Sequence, residues 1–183
     1  GDGWLDAYVT DVLSRAKAAG HAVPATAFRN ALDNLRNQVN YASDFDRDSN
    51  GGGQALAYAL MVLAREGAAA VGDLRYYADV KGDDFATPLA AAQLGAALAS
   101  YGDQGRADAM FARAGRMLSA KGAETGWRDD YGTGLRDTAA VLALAAQAGS
   151  NAVNLESTGK ARASRLASVP LSTQEAAWTL MAA

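Results

Sequence analysis

The clearest pattern in this sequence is a run of alanine and leucine that ends each time at a glycine. The runs LMVLAREGAAA, ALASYGDQG and VLALAAQAGSN share this body, and the glycines that close such runs are Gly20, Gly67, Gly102 and Gly149. Glycine is favoured just after a helix because it adopts the left-handed conformation that ends one. The runs recur at roughly 35–50 residues, the length of a helical hairpin, so the sequence predicts an internal helical repeat.

Hydrophobic spacing typical of helices covers nearly the whole chain, and the first helix carries Leu5, Val9 and Val12 on one stripe. Nine helical segments are predicted: WLDAYVTDVLSRAKAAG, PATAFRNALDNLRNQV, GQALAYALMVLAREG, VGDLRYYADV, TPLAAAQLGAALASYG, GRADAMFARAGRMLSAKG, TGLRDTAAVLALAAQAG, GKARASRLASV and a last helix that begins in LSTQEAAW. No alternation of period two lasts long enough to indicate a strand. The predicted fold class is therefore all-α.

Capping residues mark where two of these helices begin. Thr87 followed by Pro88 is a typical N-cap with proline in the first turn. Ser172 lies three residues before Glu175, which is the spacing of a capping box, in which each side chain accepts from the other residue's backbone amide. The capping box defines where a helix begins, and nothing about it indicates a catalytic role.

Composition and charge exclude several classes of function. The 183 residues suit one domain, 50% of them hydrophobic and 20% charged. A net charge of −3 with no basic run argues against a nucleic-acid partner. No apolar run approaches the ~20 residues of a membrane span. Cysteine is absent, which excludes disulfides, thiolate nucleophiles and cysteine metal sites within this chain.

The Ala/Leu-rich helices alternate with more charged ones such as FRNALDNLRNQV and RADAMFARAGRM. The simplest geometry puts the small-residue helices inside, where they pack closely. The charged amphipathic helices then lie outside, each with one solvent-exposed face. Two architectures satisfy this alternation. One is an α-solenoid, and the other is an α/α-toroid, in which hairpins close into a ring of inner and outer helices.

The stretch DFDRDSNGGG resembles a calcium loop because Asp44, Asp46, Asp48 and Asn50 fall at every second position. An EF-hand loop that starts at Asp44 needs glycine at position 6 and a bidentate acid at position 12. Ser49 and Ala55 occupy those positions, so both requirements fail. The favoured interpretation is a solvated connection between an outer helix and the next inner one, and no metal ligand is assigned.

His21, the chain's one histidine, lies in a turn between Gly20 and Pro24 and has no serine or cysteine partner at a suggestive spacing. Paired carboxylates are a second candidate, because glycosidases use two of them. Trp127 and Tyr131 beside such a pair would form a plausible surface for binding a sugar. The segment that contains them, GWRDDYGTG, fits a polar loop equally well. The acidic candidates are Glu124, Asp129, Asp130, Asp137 and Glu175.

Polar residues recur at the beginnings of the Ala-rich helices. Arg136 and Asp137 open one of them, and Gln54, Gln93 and Gln174 occupy similar early positions on others. If the helices form a ring, these groups cluster at one end of it. Mutual hydrogen bonding that fixes helix register is favoured over a docking surface.

Five segments in order carry a resemblance to a known family: WLDAYVTDVLSRAKAAGHAVP, QALAYALMVLAREG, ATPLAAAQLGAAL, YGTGLRDTAAVLALAAQAG and LSTQEAAWTLMAA. They resemble successive segments of the helical thioester, or complement-like, domain of bacterial alpha-2-macroglobulins. The Trp-Leu-x-Ala-Tyr-Val opening at Trp4–Val9 and the Ser-Thr-Gln-Glu element at Ser172–Glu175 are similar to elements of the animal relatives. The resemblance spans nearly all 183 residues.

This resemblance implies that residues 1–183 are a single helical domain, the C-terminal part of a thioester domain folded as an α/α-toroid. The parent would be a secreted, multi-domain endopeptidase inhibitor of the periplasm or cell envelope, in some members membrane-anchored. Such a protease trap encloses a protease that cuts its bait region. The expected partners are proteases and neighbouring domains of the same chain. No catalytic, cofactor-binding or metal residue is carried over, because the family's Cys-x-x-Gln thioester needs a cysteine that these residues lack.

A full toroid in this family has about six hairpins, whereas the nine predicted segments make four to five. The ring is therefore expected to be incomplete, and the apolar flanks of its first and last helices are expected to lose their neighbours. Exposed flanks of this kind favour weak self-association. A carbohydrate-active toroid and a peptide-binding helical scaffold are the alternative functions.

Overall fold

The computed structural model describes residues 2–42, 44–48, 50–120 and 134–153, which contain seven α-helices and no strand. The helices are α1 (Gly3–Ala18), α2 (Ala25–Tyr41), α3 (Gln54–Arg65), α4 (Val71–Val80), α5 (Pro88–Ser100), α6 (Gln104–Ser119) and α7 (Gly134–Gln147), with short 3₁₀ turns at Asn50–Gly53 and Gly82–Asp84. The predicted all-α class is confirmed over these ranges. The two last predicted helices, with the capping box at Ser172 and Glu175, lie outside the described residues. No described helix has the length and apolarity needed to cross a membrane.

Glycines and polar caps set the helix ends where the sequence predicts them. Gly20, Gly67, Gly102 and Gly149 all have positive φ, between +64° and +85°. The Thr87 hydroxyl accepts a hydrogen bond from the Ala90 backbone amide at 3.1 Å, which caps α5. Each Ala/Leu-rich run therefore ends in a left-handed glycine, as its sequence indicates.

The helices form two layers. The odd-numbered helices make an inner row in which α3 lies between α1 and α5, and α5 lies between α3 and α7. The even-numbered helices lie outside: α2 against α1 and α3, α4 against α5 and α6, and α6 chiefly against α5. Helices α3 and α5 are buried on almost every side, whereas α2 buries only Phe28, Leu35 and Val39. The predicted alternation is confirmed for the small-residue helices α3, α5 and α7, which lie inside, and for the charged helices α2 and α6, which lie outside.

The inner helices run parallel to one another. Near their starts, Trp4 of α1 packs edge-on against Tyr58 of α3, and at their ends Ser14 donates a hydrogen bond to Glu66. One cleft is lined by Arg65 and Ser100, the last residues of α3 and α5, and by Gln147 of α7. Each outer helix therefore returns the chain to the same end of the row. Closure of the row into a toroid, rather than a solenoid, stays a prediction.

Helix α1 leaves its apolar stripe exposed. Leu5, Val9 and Val12 are about half exposed, and the buried face instead contains polar Asp11 and Ser14. The physical reason is position: α1 is the first helix of the inner row and has a described inner neighbour, α3, on one side only. Its exposed stripe is the flank that the sequence predicts to lose its neighbour.

Ion pairs join the outer helices α4 and α6. Arg106 donates two hydrogen bonds to Asp79, at 2.9 and 2.8 Å, and one to Asp103 at 3.1 Å. The hydrogen bonds from Arg106 lower the pKa of Asp79 below its usual range. Partial burial acts to raise the pKa of Asp103, but hydrogen bonds from Arg75 and Arg106 outweigh it and leave that pKa lowered as well. Both carboxylates are thus held in the charged form.

Candidate functional site

The densest polar cluster in the described ranges surrounds Asp11, a carboxylate on the buried face of α1 with only 5% of its surface exposed. The Tyr58 hydroxyl of α3 donates to it at 2.6 Å, and the Arg15 Nε of α1 donates at 2.9 Å. Arg65, the last residue of α3, donates to the same carboxylate. Asp11 is therefore held by a neutral donor and two guanidinium groups.

Ser14 extends this cluster by one helical turn. Its hydroxyl donates to a carboxylate oxygen of Glu66 at 2.6 Å and accepts from the Arg65 Nε at 3.1 Å. The Lys17 ammonium lies 3.6 Å from the second carboxylate oxygen of Glu66. The contacts form one continuous network that ties the end of α1 to the end of α3, which we call the α1–α3 network.

The charges of the α1–α3 network suit its position. Burial, followed by the neighbouring Asp11 carboxylate, raises the pKa of Tyr58 far above its usual value, so the phenol stays protonated and remains a donor. Arg15, Lys17 and Arg65 lie in the last turns of α1 and α3, where the helix dipole favours cations. Because the charged groups are mutually paired, the desolvation cost of burying Asp11 is offset.

The arrangement is suited to fixing register rather than to catalysis. Tyr58 stays neutral, the Asp11 oxygens already accept hydrogen bonds, and the Ser14 hydroxyl is engaged with Glu66 and Arg65. His21, the chain's one histidine, is exposed on the loop between α1 and α2. A one-residue slip of α1 along α3 would break every contact in the network.

Sequence reasoning missed the α1–α3 network. Its partners on α1 and α3 are about 50 positions apart, as with Tyr58 and Asp11, which differ by 47. The only local signal is that Asp11 and Ser14, at spacing i and i+3, share the face of α1 opposite Leu5 and Val9. Polar residues at that spacing fit a solvated face equally well, so the stripe of apolar residues was the stronger pattern.

The cleft at the C-terminal ends of α3, α5 and α7 has a volume of about 220 Å³. Arg65, Ser100 and Gln147 supply its polar rim, and Met61 and Leu144 supply apolar surface. Because Arg65 already binds Asp11 and Ser14, this cleft is continuous with the α1–α3 network.

The polar residues predicted at the starts of the inner helices are all buried where they are described. Arg136 donates to Asp137 at 2.7 Å from Nη2, and both side chains are almost fully enclosed. Gln54 opens α3 and Gln93 lies on α5, and among the described residues the Gln54 Oε1 atom accepts no hydrogen bond. Since α3, α5 and α7 are parallel, these groups lie toward one end of the row. Gln174 lies outside the described residues.

The acidic stretch forms the connection between α2 and α3. Asp44, Asp46 and Asp48 are exposed, and Asp46 accepts a hydrogen bond from the Asp48 backbone amide at 3.0 Å. Phe45, between the first two acids, is instead buried, and its ring centroid lies 4.9 Å from that of Phe85. No group of three or more acidic or histidine side chains within the described ranges is arranged to hold a metal ion.

Close packing explains the glycines that follow. Gly52 and Gly53 have φ of +68° and +76°, and a β-carbon would lie 2.5 Å from the Ala86 β-carbon at Gly52 and 2.7 Å from the Phe45 ring at Gly53. No side chain fits at either position without displacing its neighbours. The stretch therefore anchors a turn against the core.

The carboxylates proposed for a glycosidase are not assembled by the described residues. Asp137 is buried and forms an ion pair with Arg136. The remaining candidates lie outside the described ranges: Glu124, Asp129, Asp130 and Glu175, together with Trp127 and Tyr131.

Comparison with known proteins places this geometry in context. No known family model matches the sequence. Among curated proteins, the alpha-2-macroglobulin of Escherichia coli strain K12 is 34% identical over an alignment of 149 positions that covers 77% of this chain. The chain spans only 9% of that relative.

Two solved structures of the Escherichia coli protein match the whole chain. Native alpha-2-macroglobulin spanning domain MG7 to the C-terminus is 30% identical, with a TM-score of 0.79 over 100% of this chain and 29% of that one. Trypsin-activated alpha-2-macroglobulin is 29% identical, with a TM-score of 0.81 over 100% of this chain and 13% of that one. The chain is therefore a member of the bacterial alpha-2-macroglobulin family, homologous to part of the region that runs from domain MG7 to the C-terminus.

Proposed function

We propose that this chain is a non-catalytic helical part of a bacterial alpha-2-macroglobulin-like endopeptidase inhibitor, a protease trap. The observation that carries the proposal is the match of the entire chain to the Escherichia coli protein solved after activation by trypsin, at a TM-score of 0.81. A protein activated by a protease is one on which proteases act, so proteases are the proposed partners of the parent protein.

Within that parent, residues 1–183 would form the C-terminal part of the thioester, or complement-like, domain. The chain contains no cysteine, so a Cys-x-x-Gln thioester is not supplied by these residues. The proposed role is mechanical. The α1–α3 network holds the first two inner helices together, so this helical body is proposed to move as a unit against neighbouring domains of the same chain. Slippage of α1 along α3 would break the buried contacts of Asp11 with Arg65 and Tyr58.

We extend the proposal to location. A trap for foreign proteases is useful where those proteases arrive, so the parent protein is expected in the periplasm or cell envelope. Fractionation of cells that express the parent protein tests this, and recovery in the cytoplasm alone would contradict it.

The trap is tested with the longer protein that contains this segment. After incubation with trypsin, we expect the protease to keep cleaving a small chromogenic peptide while its cleavage of a folded protein substrate falls several-fold, because enclosure excludes large substrates. The 183-residue chain alone is the control and is expected to protect neither substrate. If trypsin that has cut the longer protein still cleaves the folded protein substrate as fast as free trypsin does, the proposal is contradicted.

A further inference from the structure

Arg47 differs in its setting from the other arginines and lysines of the described ranges. All of the others except Lys81 lie within α-helices, where the backbone is closed to a protease. Lys81 is engaged, because its ammonium donates to the Phe45 carbonyl oxygen at 3.0 Å and lies 3.8 Å from Asp84. Arg47 is exposed in a turn between α2 and α3. Within the described ranges, the peptide bond between Arg47 and Asp48 is therefore the candidate target for an arginine-specific endopeptidase.

Cleavage requires a backbone shape that this turn does not have. An endopeptidase binds its substrate as an extended strand, with several residues on each side of the scissile bond laid along the protease. The arginine side chain must at the same time enter the acidic pocket that recognises it. Residues 45–48, which we call the Arg47 turn, would therefore have to straighten and lift away from the helices before the bond could be cut.

Phe45 anchors the Arg47 turn to the core. Its side chain is 3% exposed, and its ring centroid lies 4.9 Å from that of Phe85 and 6.0 Å from that of Tyr77. Lys81 binds the Phe45 carbonyl oxygen and also places its ammonium 5.9 Å from the centroid of the Phe45 ring. Straightening the turn would pull this buried aromatic side chain into water, so the open form is rarely populated.

Asp46 holds the scissile bond itself within the turn. Its Oδ1 atom accepts a hydrogen bond from the Asp48 backbone amide at 3.0 Å. The nitrogen of that amide is the atom that separates from Arg47 when the bond is hydrolysed. A hydrogen bond from residue 48 back to the side chain of residue 46 closes a tight turn around Arg47, which an extended strand cannot contain. The two carboxylates that flank Arg47 also disfavour a protease whose recognition pocket is acidic.

We propose that the peptide bond between Arg47 and Asp48 is a cleavage site for arginine-specific endopeptidases that the fold holds closed, and that Phe45 and Asp46 hold it closed. Hydrolysis consumes one water, whose hydroxyl joins the Arg47 carbonyl carbon and whose proton goes to the Asp48 nitrogen as the bond between them breaks. The products are residues 1–47 with a new carboxylate and residues 48–183 with a new amino group. The proposal does not depend on the parent protein being a protease trap, because any arginine-specific endopeptidase tests it.

Limited proteolysis of the 183-residue chain with an arginine-specific endopeptidase is the test. Mass spectrometry measures cleavage after Arg47 separately from cleavage elsewhere, and the reference is a free peptide of residues 41–53. We expect the folded chain to be cut after Arg47 at least about a hundredfold more slowly than the peptide, because only the open form of the turn is a substrate. Equal rates would overturn the proposal.

Phe45→Ala removes the anchor and should speed cleavage after Arg47 at least about tenfold, because proteolysis follows the population of the open form. The matched control is Phe28→Ala, which deletes another buried aromatic side chain near the start of α2, at the opposite end of that helix from the turn. It should leave the rate after Arg47 nearly unchanged. Equal acceleration by both substitutions would show that cleavage follows global unfolding, and the proposal would fail.

Two milder substitutions keep the test decisive if Phe45→Ala does not fold. Lys81→Met removes the hydrogen bond to the Phe45 carbonyl oxygen, and Asp46→Ala removes the acceptor of the Asp48 amide. Each should speed cleavage after Arg47 about three- to tenfold while the melting temperature stays close to that of the unmodified chain. If neither does so, other parts of the chain protect the bond, and the roles assigned to Phe45 and Asp46 are wrong.

Discussion

The Tyr58 hydroxyl lies 2.6 Å from the Asp11 carboxylate, across the contact between α3 and α1. Two residues 47 positions apart thus share a buried hydrogen bond to a charged acceptor. Hydrogen bonds to a charged acceptor are stronger than those between neutral groups. Removing one partner and leaving the other buried without a hydrogen bond lowers the stability of the fold. Removing this hydrogen bond by substitution measures directly how much it contributes to the free energy of unfolding.

Tyr58→Phe deletes one donor and leaves the Asp11 carboxylate buried. We expect the free energy of unfolding to fall by about 1–3 kcal/mol, the cost of an unmet buried acceptor. Urea denaturation measures the change. Tyr41→Phe is the matched control because Tyr41 is 90% exposed, and its effect should stay within about 0.5 kcal/mol. Equal effects at the two positions would show that the hydrogen bond contributes nothing.

Asp11 and Arg65 should be energetically coupled. In a double-mutant cycle with Asp11→Ala and Arg65→Ala, we expect a coupling energy of about 1–3 kcal/mol, because each single change leaves its partner without its buried counter-charge. The exposed pair Asp33 and Arg36, 3.4 Å apart, is the control and should give below about 1 kcal/mol. Additive effects at Asp11 and Arg65 would contradict the α1–α3 network.

Two left-handed glycines should differ in their tolerance of a methyl group. Gly67→Ala should cost about 1–2 kcal/mol through its backbone alone, because a β-carbon there meets nothing within 4 Å. Gly53→Ala adds a clash with the Phe45 ring, which should cost about 1–3 kcal/mol more. Thermal unfolding of the two variants measures the difference. Equal losses would mean that Phe45 moves away freely.

The outer ion pairs predict a loss of stability in acid. Because the pKa values of Asp79 and Asp103 are lowered in the folded state, that state binds fewer protons than the unfolded chain. Their contribution is full above the unfolded carboxylate value of ~3.9 and is lost as pH falls through the lowered values. Melting temperatures between pH 6 and pH 2 should therefore fall less steeply for Arg106→Gln than for the unmodified chain. Parallel curves would contradict this.

Calcium should not stabilise the chain through the acidic stretch. Asp44, Asp46 and Asp48 are exposed, and one Asp46 oxygen already accepts the Asp48 amide. The melting temperature should therefore stay constant as calcium is added. A rise of several degrees that is lost in Asp44→Asn would show that the stretch binds the ion.

The helical layout was predictable because its determinants are local. Alanine and leucine at helical spacing, closed by Gly67 and Gly102, define α3 and α5 without reference to the rest of the chain. The same composition separates inner from outer helices, because only small residues allow close packing on all sides. VGDLRYYADV coincides with α4, Val71–Val80.

The candidate site was not predictable because it depends on pairing between distant segments. Whether Asp11 is buried depends on Tyr58 and Arg65 of another helix, and no local pattern specifies that pairing. The exposed stripe of Leu5, Val9 and Val12, by contrast, agrees with the expectation that the flank of the first helix loses its neighbour, because α1 lies at the end of the row. The stretch that contains Gly52 and Gly53 was predicted to be a solvated connection, whereas these two glycines lie in close contact with Ala86 and Phe45.

The shared direction of the inner helices has an electrostatic consequence. Parallel dipoles add where antiparallel ones cancel, so the C-terminal end of the row collects the negative poles of four helices. Arg15, Lys17 and Arg65 compensate the poles of α1 and α3, whereas α5 and α7 have no basic residue in their last turns. Among the described residues, the negative poles of α1 and α3 are thus compensated by basic side chains, whereas those of α5 and α7 are not. If this helical body rotates, the direction of the resulting electrostatic field rotates with it.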